Sequence, residues 1–308
     1  MKTILNALIF LVVAGGIYFG YKMLKSSDTP IVATGNETAT NNDPENNNKK
    51  AGTTYAVIVG VSDYKYLPSR PTQGRPNPNV TYDLNFCDDD ANLFYSFLRS
   101  SAGGNVPAEN IVKLIDGQAT QANIVAQTRQ LFSKSSPDDR VIFYFTGHGS
   151  HQVLCPYDVT TTSGNMLEYR TIAGVFRECR ARDRFFIADA CNTGSMKTHI
   201  SSQHGSASSL PKDKTLLAFM ASKSTQSSRE NLEISHGYFT YFLDKGARGE
   251  ADFNHDNVVT IKELYAFVKI NVEAKTRKGL PKNAPEKYYQ TPIAFGKYPD
   301  NLSFATLN

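Results

Sequence analysis

The sequence predicts an α/β fold, with a mostly parallel sheet and helices on both faces. Three observations carry that prediction. Short, unbroken apolar runs recur along the chain, as strands buried on both faces require. Stretches with apolar residues at helical spacing separate them. The two kinds of segment alternate almost throughout, and that order favours parallel strands joined by helical crossovers.

The elements follow in sequence. Tyr55 to Val61 is a continuous apolar run and the first strand. Asp88 to Ser101 begins with acidic residues, which suit a helix N-terminus, and carries Leu93, Phe94, Phe97 and Leu98 on one face. Ile111 to Ile115 is the second strand. Thr120 caps a helix bearing Ile124, Val125, Thr128, Leu131 and Phe132. Val141 to Phe145 is the third strand. A helix over Thr171 to Cys179 leads to a strand at Arg184 to Ala188, and Thr215 to Ala221 is a further strand. Helices are expected over His236 to Lys245 and Thr260 to Lys275.

Composition sets bounds on function. The chain has 308 residues, 40% hydrophobic and 20% charged, enough to bury a large core. A net charge of +4, scattered along the chain, gives no argument for a nucleic-acid partner. The four cysteines, Cys87, Cys155, Cys179 and Cys191, form no C-x-x-C pair, which argues against a zinc ribbon or a thioredoxin-like centre. Residues Ile4 to Leu24 are nearly all apolar, and their length suits a membrane span. A secretory signal, cleaved to give a secreted or periplasmic protein, is the competing reading, although no small-x-small cleavage site follows. Residues 1–25 are thus read as an anchor or signal. Residues 26–52, rich in Asn, Thr, Asp and Lys, are read as a flexible polar linker. One domain is expected over 53–308.

In open parallel sheets the ligand crevice lies beyond the carboxyl ends of the strands. Two chemically capable loops are predicted there: Thr146-Gly147-His148-Gly149-Ser150 and Asp189-Ala190-Cys191-Asn192-Thr193-Gly194. A thiol attacks an amide carbonyl as the thiolate, so it needs a base, and histidine is suited to that near neutral pH. Cys191 is therefore the candidate nucleophile and His148 its base. The backbone N–H groups of Gly149 and Cys191 are candidates to hold the developing oxyanion. His151 lacks the flanking glycines and is read as a loop residue. Cys155 and Cys179 have no basic partner in sequence and are read as core residues. The serine-rich stretch Met196 to Lys212, with His199 and His204, is read as an exposed loop.

The order and spacing of several blocks then resemble the caspase/metacaspase family of cysteine peptidases, particularly its bacterial caspase-like members. These blocks are YAVIVGVSDY, DLNFCDDDA, NIVKLIDGQATQANI, VIFYFTGHGS, FFIADACNTG and HGYFTYFLDKGARGEADFNHDNVVTIKEL. The resemblance runs from about Tyr55 to the C-terminal part of the domain. It implies a caspase-like three-layer sandwich and a Cys–His dyad acting on protein or peptide substrates, with His148 and Cys191 in the family's catalytic positions. It departs at Asn192-Thr193, where the family often has His-Ser. It also implies that Asp90 and Asp189 line the first specificity pocket, with Cys87 and Thr146 on its wall. Two carboxylates there attract Arg or Lys and repel Asp. Self-cleavage in the family often falls in the connection that corresponds to residues 196–212. A catalytically silent peptide- or partner-binding module is the competing reading, and an intact dyad disfavours it.

The late block also has the layout of a calcium loop. Asp252, Asn254, Asp256, Thr260 and Glu263 supply side-chain oxygens, and Val258 a carbonyl, with Asn257 at the position that usually takes Gly. The alternative is a polar turn whose acids cap the following helix. Calcium is the only ion this sequence points to, and the Cys–His chemistry requires no cofactor. Oligomeric state is not encoded in any pattern of the sequence.

Overall fold

The computed structural model describes residues 52–67, 82–160, 162, 164–191 and 215–307. The expected anchor, almost all of the polar linker, and the connection from 192 to 214 lie outside them. No described helix is long and apolar enough to cross a membrane.

Six strands form the central sheet. They are β1 (Thr54–Gly60), β2 (Ile111–Ile115), β3 (Arg140–Thr146), β4 (Asp183–Asp189), β5 (Thr215–Met220) and β6 (Ile293–Lys297). Their order is β6-β5-β4-β3-β1-β2, with the first five strands in the chain parallel and β6 antiparallel at the edge. The helices are α1 (Cys87–Arg99), α2 (Gln121–Phe132), α3 (Tyr169–Glu178), α4 (Tyr238–Lys245) and α5 (Ile261–Arg277).

The alternation of side chains along each strand sorts the core into two layers. Ile58, Tyr144, Phe185 and Phe219 point to the side covered by α1, α4 and α5. Val59, Phe143, Phe186 and Met220 point to the side covered by α2 and α3. Both sets are almost fully buried, and each large apolar side chain removed from water contributes about 1.5–3 kcal/mol. The result is the three-layer α/β sandwich, a mostly parallel sheet with helices on both faces.

Two departures from the sequence reading have local causes. The helix expected from His236 begins instead at Tyr238, because His236 and Gly237 pair antiparallel with Asn231 and Glu230. The edge strand β6 was not anticipated. Its residues are mostly half-buried and include Gly296 at φ +138, so no continuous apolar run marks it.

Candidate active site

The site grows from the register of β3 and β4. Thr146 is paired with Asp189 at the carboxyl ends of these neighbouring strands. His148 and Cys191 each follow two residues later, so parallel pairing delivers both to one edge of the sheet. The Gly147 N–H donates to the Asp189 carbonyl at 3.2 Å and ties the two loops. Gly149 makes the close approach possible. A Cβ there would stand 2.9 Å from the Cys191 carbonyl oxygen and 3.0 Å from the Ala190 methyl. The Cys155 N–H donates to the His148 carbonyl at 3.0 Å, which makes Gly149 and Leu154 a non-hydrogen-bonded pair of the small hairpin 149–154. The Gly149 N–H is thus left free of that hairpin.

The imidazole of His148 is held on two sides. Its ring stacks on Tyr64 at 4.9 Å, and the Tyr64 hydroxyl accepts the His148 backbone N–H at 2.7 Å. Nε2 lies 2.5 Å from the carbonyl oxygen of Tyr82. A carbonyl can only accept, so Nε2 carries the proton and Nδ1 is the basic nitrogen. Burial lowers the pKa of His148 below its ordinary value and raises that of the Cys191 thiol. The pair therefore rests neutral. The thiol is aimed at the Ser228 carbonyl at 4.0 Å, and no hydrogen bond joins it to His148 among the described residues. Tyr64 and Tyr82 escaped the sequence reading, the second because a main-chain carbonyl has no residue signature.

Beside the dyad, Asp90 and Asp189 converge on Gly237. A Cβ on Gly237 would lie 2.6 Å from Asp189 Oδ2 and 2.9 Å from Asp90 Oδ2. Both acids are buried, at 1% and 5% exposure. Asp90 accepts from Gly237 N at 3.1 Å and pairs with His236 Nδ1 at 2.8 Å. Asp189 accepts from Ser228 Oγ at 2.5 Å, and from Thr240 N and Oγ1 at 3.1 and 2.8 Å. Burial pushes the Asp90 carboxyl up to about 7 against the lowering effect of His236, and it raises Asp189 as well. Cys87 is buried, with its thiol against Thr146. The structure thus brings Cys87, Asp90, Thr146 and Asp189 together. Ser228, His236, Gly237 and Thr240 belong to the same pocket and were missed, since each supports a partner far away in sequence.

Of the remaining candidates, Cys155 adjoins the dyad through its bond to the His148 carbonyl, and the others take no part in it. Cys179 is buried, Cys155 half-buried, and His151 exposed in a turn. In the 252–263 loop, Asp252 accepts the N–H groups of Asp256 and Asn257, and Asn254 also accepts from Asp256. The Val258 N–H donates to Asp256 Oδ1. Asn257 takes φ +64, the left-handed turn that its position requires. Thr260 and Glu263 form a reciprocal capping box on α5. Glu263 therefore bonds its own helix start, and among the described residues no three His, Cys, Asp or Glu side chains gather as a metal site. In this conformation Glu263 is engaged by the cap of α5, while Asp252, Asn254, Asp256, Val258 and Thr260 follow one another along the same turn.

Comparison with known proteins bears on the family and the fold. Human and orangutan (Pongo abelii) legumain are each 26% identical over 148 residues, which is 47% of this chain and 30% of theirs. The match thus spans under a third of the length of those relatives. Among solved structures, caspase-1 from Spodoptera frugiperda superposes with a TM-score of 0.57 at 14% identity, covering 89% of this chain and 98% of that one. A protein from Geobacter sulfurreducens gives 0.53 at 14% identity, covering 83% and 100%. The family model for the caspase domain of the C14 peptidases matches residues 53–298. The chain therefore belongs to the caspase-domain family of cysteine peptidases.

Proposed function

We propose that this protein is an active cysteine endopeptidase that cleaves polypeptides after Arg or Lys. The observation that carries the specificity is the convergence of Asp90 and Asp189 on Gly237, next to the nucleophile loop. No Lys or Arg pairs with either acid among the described residues. A substrate guanidinium or ammonium would supply the missing counter-charge, and Arg gains more because its planar fork bonds two acceptors.

Chemistry follows from the neutral dyad. Nδ1 of His148 takes the thiol proton as Cys191 Sγ attacks the scissile carbonyl carbon, and the Tyr82 carbonyl holds the imidazolium through Nε2. The Gly149 and Cys191 N–H groups would receive the oxyanion. Collapse expels the amine, which takes the proton from His148. Water, deprotonated by the same imidazole, then cleaves the thioester and restores the thiol. No metal or cofactor enters these steps. The apolar stretch before residue 25 is proposed to tether the domain to a membrane through the polar linker.

The test is labelling by a covalent thiol probe alongside cleavage of an Arg peptide. Both are expected in the wild type and lost in Cys191→Ser. Wild-type labelling no faster than that of Cys155 or Cys179 in the unfolded chain would favour a silent binding module.

A further inference from the structure

We propose that the basic loop between α5 and β6 docks on an anionic bilayer surface and holds the pocket beside it. The choice of a bilayer as partner rests on the proposed tethering of the domain to a membrane.

The loop is closed at its base. Thr276, near the end of α5, accepts the Gln290 N–H at 3.0 Å, and both residues are buried. Between them the chain runs through tight turns. Leu280 N donates to the Arg277 carbonyl, Ala284 N to that of Pro281, and Tyr288 N to that of Pro285. A surface loop with its ends joined is compact, so its side chains stay grouped.

Its charge is one-sided. Lys275, Arg277, Lys278, Lys282 and Lys287 are all exposed, and the single acid among them, Glu286, is taken by Lys223 at 2.7 Å. Contacts bring three cations to one spot. The Arg277 guanidinium lies 3.9 Å from the Tyr289 ring centroid, and the Lys287 ammonium 5.1 Å from that of Tyr288. Arg229, also exposed, reaches in from the pocket side to donate to the Tyr288 carbonyl at 2.8 Å. Among the described residues no carboxylate pairs with any of these six cations. Tyr288 stands 47% exposed in their midst. Cations around an exposed tyrosine match a headgroup layer, where tyrosine takes the interface and a negative surface draws each Lys or Arg. The same chain carries the apolar stretch Ile4 to Leu24, and a domain held at a membrane meets lipid at high effective concentration. That favours a bilayer over a soluble acidic partner.

The base of the loop also reaches the pocket. Gln290 Nε2 donates to Ser228 Oγ at 3.1 Å, and Ser228 Oγ donates to Asp189 Oδ1. A docked loop therefore sets the pocket near the headgroups and favours substrates held at the same surface.

The full chain is reconstituted in vesicles of phosphatidylcholine alone, or of phosphatidylcholine mixed with phosphatidylglycerol. A trace of a water-soluble acetylating reagent then reports each lysine by mass spectrometry. Anionic lipid is expected to slow acetylation of Lys278, Lys282 and Lys287 about ten-fold. Lys262, at the opposite end of α5 with its side chain 71% exposed, should not change. The protection should vanish in about 1 M salt, where charges are screened beyond about 3 Å. The variant Lys278→Gln/Lys282→Gln, altered at two exposed positions, should lose the protection of Lys287. Equal rates in the two kinds of vesicle, or slowing of Lys262 by the same factor, would overturn the proposal. Slowing by a soluble acidic peptide but not by anionic vesicles would overturn it in favour of a protein partner. The tether is scored separately, on phosphatidylcholine vesicles. Release of the chain from these by a salt wash would overturn the tether, and loop protection on anionic vesicles would still decide the docking.

Discussion

Two carboxylate-rich segments of this protein have similar composition and opposite construction. In the 252–263 loop the acids bond within five residues of themselves, and Asn254 and Asp256 are exposed. In the pocket, Asp90 finds its partners 146 and 147 residues away, and Asp189 finds its own 39 and 51 residues away. Acids that close a local turn, Asp256 exposed and Asp252 buried at 8%, are already satisfied by the backbone donors of their own loop. Buried acids gathered from distant segments hold charge where water cannot solvate it, and a cation relieves that cost. The difference lies in where the donors come from, not in how many carboxylates a segment contains.

The sharpest break in that comparison comes from the dyad beside the pocket. His148→Ala and Cys191→Ala should each lower turnover by several orders of magnitude, and the double variant should be little worse than either, since the two act as a unit. Near-normal activity in either variant, measured on folded protein, would remove the chemistry from this site. The pocket comes next. Asp189→Asn should lower kcat/KM for an Arg peptide by about 10²-fold, the scale of a buried charge pair losing one partner, while thiol labelling persists. A change in labelling and cleavage by the same factor would point to a disturbed nucleophile loop instead.

Much of this was legible from the chain alone. Most of the strands β1 to β5 announced themselves as apolar runs, although Lys113 interrupts β2 and Arg184 lies in β4, and the flanking helices by their spacing. The Gly-flanked His148 and the Asp189-Ala190-Cys191 segment were visible because close backbone approach and parallel register both leave local marks. The parts that were not legible depend on distant partners. Ser228, His236 and Thr240 are ordinary polar residues until folding sets them on Asp90 and Asp189. The Tyr82 carbonyl that fixes the His148 tautomer could come from any residue type.

A pH profile sharpens the contrast through protonation. Burial lowers the pKa of His148, so neutral imidazole persists below the ordinary histidine range, and the acid limb of kcat should lie there. Asp90, pushed up to about 7, pairs with His236, whose pKa the Asp90 hydrogen bond raises. As the pH falls through about 7 the pair takes up a proton and the pocket becomes less negative. KM for an Arg peptide should therefore rise before kcat falls. A KM that is flat across this range would show that Asp90 holds no titrating charge in the pocket.

The local segment should respond more weakly. Thr260→Ala removes the cap of α5 and should cost about 1 kcal/mol of stability without changing specificity. Millimolar calcium should leave the melting midpoint unchanged, because Glu263 is held in the capping box. A rise with calcium that Glu263→Ala abolishes would mean that the cap opens to bind the ion by mass action. Smallest of all, removal of Met1 to Lys25 should leave kcat/KM unaltered and make the protein soluble. Aggregation of the truncated protein would show that this segment packs on the domain.

The central claim is that this caspase-domain protein carries an acidic first pocket beside a working Cys191 and His148. It is tested most directly by kcat/KM on two peptides identical except for Arg or Asp before the scissile bond, with active sites titrated by the thiol probe. The account predicts efficient cleavage of the Arg peptide and no measurable cleavage of the Asp peptide. Preference for Asp would contradict the pocket while leaving the dyad chemistry in place.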